Sequence, residues 1–121
     1  NLARYFFTVK NFDAALPLLN KLTYGDIFLQ LDAKVTLLKI YYLLDDYDAL
    51  DANLRAFQQF LHRKKTGLAY HQQNYLNIIA CMKRLSTYNK LDKKETAALR
   101  EYIADLQPLT EREWLQAAVC V

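Results

Sequence analysis

Between residues 26 and 45 the apolar positions occupy nearly every side that a helix can offer. Phe28, Leu31, Val35, Leu38 and Tyr42 recur at steps of three and four, which stacks them on one side of a helix. Ile27, Ala33, Leu37, Ile40, Tyr41 and Leu44 fill the flanks. Only a strip of Asp32, Thr36 and Lys39, with Gln30 and Lys34 beside it, is left to face water. A helix this apolar around its circumference must be covered on more than one side, so the pattern predicts a buried central helix. Asp26 is placed to cap its start, and Gly25 to end the helix before it. Asp32, Lys34 and Lys39 interrupt the run too often for a membrane span of about 20 apolar residues.

The same periodicity continues on both sides. Leu2, Ala3 and Phe6 read as the buried side of a helix tail, and Asn11 then offers a cap for a second helix carrying Phe12, Ala15, Leu16, Leu19 and Leu22. Pro17 should bend that helix, because it removes a backbone donor and crowds the preceding turn. Asp45 and Asp46 break the central helix. Asp46 can cap the next one, which bears Tyr47, Leu50, Leu54, Phe57 and Leu61 and completes a helical hairpin.

Residues 62–67 form a basic connector, whose positive side chains suit the C-terminal end of a helix. A long helix over 68–87 follows, with Tyr75, Ile78, Ile79, Met82 and Leu85 on its packing face and Gln72, Gln73, Asn77, Lys83 and Arg84 on the other. After a break at 88–90, Asp92 and Glu95 make a capping-box pattern for a helix bearing Leu99, Tyr102, Ile103 and Leu106, which Pro108 ends. Thr110 and Glu113 repeat the box, with Leu109 placed to staple against Trp114. That last helix, with Leu115, Ala118 and Val119 on its apolar face, is expected to cover the open end of the stack.

One internal repeat stands out. Residues 10–22, KNFDAALPLLNKL, match residues 45–57, DDYDALDANLRAF, in a polar break, an aromatic, an Asp and an apolar ladder. The aromatics Phe12 and Tyr47 lie 35 residues apart. This period, near the roughly 34 residues of a tetratricopeptide repeat, resembles that family. The first unit offers Leu2, Ala3 and Phe6, then Phe12, Ala15, Leu19 and Leu22. The second offers Leu37, Leu38 and Tyr41, then Tyr47, Leu50, Leu54 and Phe57, with Leu in place of both small residues. Small residues let the paired helices approach closely, so a wider or differently angled hairpin is expected there. Residues 68–106 resemble the family only as a helix hairpin.

The resemblance implies an all-α domain, with antiparallel hairpins stacked as a short right-handed superhelix of about seven helices. Its units would be 1–25, 26–65 and 68–106, with an end helix over 110–121. In this family the first helices of successive repeats line a concave surface that binds peptides. Here that surface would present Arg4 and Phe7, then Asp32, Thr36, Lys39 and Tyr42, then Gln73, Asn77, Lys83 and Arg84. The members that clamp a C-terminal carboxylate use a Lys and Asn pair; Val35 and Lys39 stand at the matching places, which does not favour that activity.

Composition narrows the function classes. At 121 residues the chain has the length of one domain, and two Gly and two Pro are too few to punctuate a β-sandwich. A net charge of +3 permits an acidic protein or peptide partner without the dense basic face that nucleic acid requires. No phosphate-binding glycine loop is present. His62 and His71 lack metal-ligand spacing, and Cys81 reads as a small core hydrophobe. No catalytic residue, cofactor or metal is therefore expected.

Cys81 and Cys120, far apart and without ligand spacing, suit a reducing, cytoplasmic setting, and no signal peptide is visible. The chain opens at Asn1 inside a periodic pattern, as a piece of a longer protein would. The leading expectation is a noncatalytic protein-interaction module. Two alternatives are nucleic-acid or anionic-surface binding through residues 62–65 with Lys83 and Arg84, and a purely structural or dimerisation arm.

Overall fold

The computed structural model describes residues 12–14, 16, 27–63 and 71–119, and all regular structure among them is helical, with no strand. Five helices run in order: α1 (Ile27–Leu43), α2 (Tyr47–Arg63), α3 (Gln72–Thr87), α4 (Lys93–Asp105) and α5 (Arg112–Val119). Residues 12–14 and 16 are helical as well. The chain forms two compact units, Asn1–Asn53 and Leu54–Val121, with the boundary inside α2. The expected features at Pro17, Gly25 and Asp26 lie outside the described residues.

In the first unit, α1 is the buried helix that its pattern predicts. Leu31, Ala33, Val35, Leu37, Leu38, Ile40 and Tyr42 are all buried. Phe12 and Leu16 pack against the Ala33, Leu37 and Ile40 side, together with Tyr41. Phe28 departs from its expected place on the packing face and is exposed.

The link from α1 to α2 is short because two aspartates end one helix and start the next. Asp46 N–H donates to the Tyr41 carbonyl at 3.0 Å and Asp45 N–H to the Tyr42 carbonyl at 3.2 Å, the paired bonds of a Schellman motif. That motif needs a left-handed residue, and Asp45 supplies it with φ 56°. Asp46 Oδ1 then accepts from Ala49 N–H at 3.2 Å, capping α2 as its sequence suggests.

The second unit holds the rest of α2 with α3, α4 and α5. Leu54, Phe57 and Leu61 are buried on α2, at the spacing expected. The Phe57 ring lies 6.0 Å from that of Tyr75 on α3, tilted by 52°. Gln72, at the start of α3, donates its side-chain amide to the Leu61 carbonyl in the last turn of α2 at 3.1 Å. Helices α3, α4 and α5 pack on one another, and Ile78, Ile79, Met82, Leu85, Leu99, Ile103, Leu115 and Val119 are buried on them.

Two capping expectations resolve differently. Asp92 caps α4, accepting from the Lys94 and Glu95 N–H groups at 2.9 and 3.2 Å. Glu95 reaches past the cap to Asn89 N–H at 3.4 Å, so the turn before α4 is tied at both ends. Thr110, by contrast, pairs with α3. Its hydroxyl accepts from Asn74 of α3, and the first bond of α5 runs from Leu115 N–H to the Glu111 carbonyl.

Candidate functional site

Of the ten residues that the repeat pattern nominates, Arg4 and Phe7 lie outside the described residues. Asp32, Thr36, Lys39 and Tyr42 belong to the first compact unit, and Gln73, Asn77, Lys83 and Arg84 to the second.

On α1 the polar strip is where its spacing puts it. Asp32 is exposed and Thr36 and Lys39 are half-buried. Thr36 turns its hydroxyl onto its own helix, donating to the Asp32 carbonyl at 2.9 Å. Tyr42 does not share that strip; it is 8% exposed and belongs to the core.

What the sequence pattern missed on α1 is apolar. Phe28, Leu29 and Leu43 are 45, 52 and 47% exposed. At about 3.6 residues per turn, Phe28, Leu29, Asp32, Thr36, Lys39 and Leu43 all fall within about 100° of the helix circumference. They make one continuous face, apolar toward both ends and charged in the middle. The four-residue steps from Phe28 through Asp32 to Thr36, with Leu43 one further step past Lys39, were available in the sequence. Phe28 also continues the Leu31, Val35 and Leu38 ladder, a pattern that reads as core.

In the second unit the nominated residues are engaged with their own fold. Asn77, expected on the polar face of α3, is 5% exposed. It donates to the Pro108 carbonyl at 2.8 Å and accepts from Gln73 Nε2 at the same distance. Lys83 Nζ donates to Gln58 Oε1 at 2.9 Å. Arg84 lies over the Tyr102 ring, 4.2 Å from its centroid, in a cation–π contact between α3 and α4. Asn77 is thus a strut that holds the 108–110 segment against α3, and Arg84 ties α3 to α4.

The basic connector is described only at its start, where His62 and Arg63 are exposed at the end of α2. Cys81 is a free thiol buried in the α3 core. Burial holds its proton on, an effect that Arg84 and Arg112 partly oppose, so the thiolate needed for nucleophilic chemistry is disfavoured.

Among the described residues no group of three or more His, Cys, Asp and Glu is placed to hold a metal ion. Every buried side-chain nitrogen and oxygen among them has a hydrogen-bond partner. Nor is any described helix long and apolar enough to cross a membrane. No family model, curated protein or solved structure matches this chain.

Proposed function

We propose that this protein is a noncatalytic interaction module whose α1 helix binds a protein or peptide segment. The observation that carries the reading is the mixed face of α1. Phe28, Leu29 and Leu43 stay exposed, with Asp32, on a helix that is otherwise buried or half-buried, and Asp32 and Lys39 lie between them. Exposed apolar side chains on a rigid helix, interrupted by charge, are what a peptide-binding surface requires. The apolar groups supply affinity, and the charges set register and partner choice.

The tetratricopeptide-like pairing of helices belongs to the same reading. It is supported by the packing of Phe12 and Leu16 on the Ala33, Leu37 and Ile40 side of α1, and by the short Asp45 and Asp46 link into α2. The segment that fits best is apolar with an acidic residue to meet Lys39. Lys83 and Arg84 belong to the second unit, where Lys83 contacts Gln58 and Arg84 lies over the Tyr102 ring.

Selection of displayed random peptides against the protein tests this reading. Peptides combining apolar residues with Asp or Glu should be enriched. Phe28→Ser with Leu43→Ser should weaken their binding by about tenfold or more, as expected for apolar surface no longer buried. Lys39→Glu should reverse the preference for acidic peptides. Equal affinity for the double variant would remove α1 as the binding face.

A further inference from the structure

Leu91 is 93% exposed, in the turn between α3 and α4. The turn that carries it is well tied. Leu91 N–H donates to Asn89 Oδ1 at 3.0 Å, and Asp92 N–H donates to the Asn89 carbonyl at 3.1 Å. Asp92 and Glu95, the two acids of this segment, direct carboxylate oxygens at backbone N–H groups and so brace the turn. The leucine is presented by hydrogen-bonded backbone.

Its sequence neighbour Lys90 lines a pocket of about 420 Å³, bounded by the turn, α4 and the end of α5. Lys90, Lys93 and Arg100 line it, with Tyr88, Thr96 and Val119, and no acid is among the lining residues. Lys93 and Arg100 are two helical turns apart on one face of α4, and Lys90 closes the ring from the turn. Lys94 adds a further cation next to the tip. Over residues 88–100 four cations stand against two acids.

We propose that the turn over residues 89–94 docks on an anionic phospholipid surface, with Lys90, Lys93 and Arg100 taking a headgroup phosphate and Leu91 entering the interface. Three cations around one opening match a phosphate group, which accepts several charge-assisted hydrogen bonds at once. A free phosphate or a phosphorylated peptide would satisfy the pocket and leave Leu91 in water. A bilayer interface supplies both halves together, phosphate for the cations and the acyl boundary for the leucine. Attachment would be peripheral, by one side chain and a basic rim.

Co-sedimentation with vesicles tests it. The protein should pellet with vesicles of phosphatidylcholine mixed with phosphatidylserine and stay in solution with phosphatidylcholine alone. Added salt should release it, as screening weakens surface electrostatics. Leu91→Ala should weaken binding by about tenfold, the scale set by losing inserted methylenes. Lys93→Ala with Arg100→Ala should weaken it at least as much, and circular dichroism should show both variants as helical as the parent. Lys39→Glu should bind vesicles normally, so failure here leaves the α1 reading untouched.

Absence of pelleting with the mixed vesicles would overturn the proposal, as would equal binding by Leu91→Ala. Binding of inorganic phosphate or a phosphopeptide that persists in Leu91→Ala, without vesicle binding, would overturn it too and reassign the pocket to that ligand.

Discussion

Asn74 and Thr110 exchange a reciprocal pair of hydrogen bonds across 36 residues of sequence. Asn74 Nδ2 donates to Thr110 Oγ1 at 3.0 Å, and Thr110 N–H donates to Asn74 Oδ1 at 2.8 Å. The side-chain amide therefore serves Thr110 twice, its oxygen accepting from the backbone N–H and its nitrogen donating to the hydroxyl. Asn77, one turn on, adds the bond to Pro108, so a single face of α3 positions the start of α5.

Truncating this pair should cost stability unequally. Asn74→Ala removes both bonds and leaves Thr110 N–H without its partner, a loss of about 2–3 kcal/mol. Thr110→Val keeps the backbone bond and gives up only the hydroxyl, for about 1 kcal/mol. Urea unfolding of the two variants and their combination checks this. The double variant should fall short of additivity, because the Nδ2 to Oγ1 bond is counted in both singles.

Asp45 holds a left-handed backbone that glycine adopts without cost. Its compensation is one exposed bond, accepted from the Tyr47 hydroxyl at 3.2 Å. Asp45→Gly should therefore raise stability by about 0.5–1 kcal/mol, the backbone gain exceeding a solvent-exposed contact. Asp45→Val should lower it, since a β-branched side chain tolerates that region poorly. Thermal denaturation of the three proteins orders them.

Arg112 Nη1 donates to the Ile103 and Ala104 carbonyls, at 2.7 and 2.6 Å, and closes the last turn of α4 with a positive charge. Both the orphan carbonyls and the negative end of the helix favour a guanidinium there. Arg112→Ala should cost about 1–3 kcal/mol, and Arg112→Lys should recover more than half of that, because both carbonyls accept from one nitrogen and an ammonium also offers several N–H donors. Hydrogen exchange of the α4 C-terminal amides should quicken in both variants.

Burial pushes the Cys81 thiol from its ordinary 9.0 up to about 11, with Arg84 and Arg112 pulling the other way. The folded protein then keeps a proton that the unfolded chain gives up. Below pH 9.0 both states are protonated and the group has no pH-dependent effect. Stability falls as pH rises above 9.0, and this contribution levels off above about 11. Cys81→Ala should remove that part of the alkaline decline, seen as a shallower fall in urea midpoint relative to the parent. In the folded parent near neutral pH, Cys81 should label slowly with thiol reagents until the protein unfolds.

The candidate binding face was half legible. Asp32, Thr36 and Lys39 fall on the one polar strip of α1, which the three-and-four spacing shows without any structure. Phe28 and Leu43 were hidden because an apolar residue at helical spacing reads as core, and periodicity alone does not show where the covering elements stop. Tyr42 misled in the other direction: its ring suits a binding surface, but one side of α1 is enclosed along its length and takes Tyr42 with it.

By itself the sequence determined whatever is settled within one turn of helix. The helical class, the break at Asp45, and the caps at Asp46 and Asp92 all rest on contacts between residues at most five apart. Only the tertiary structure decided the long-range choices. It buried Asn74 and Asn77 as struts, turned Thr110 from capping its own helix to pairing with α3, laid Arg84 on Tyr102, and gathered Lys90, Lys93 and Arg100 around one pocket. The physical reason is that an amide, a hydroxyl or a guanidinium satisfies its hydrogen bonds with whatever packing brings near. For Asn74 and Asn77 those partners lie 36 and 31 residues away, beyond anything local spacing can encode.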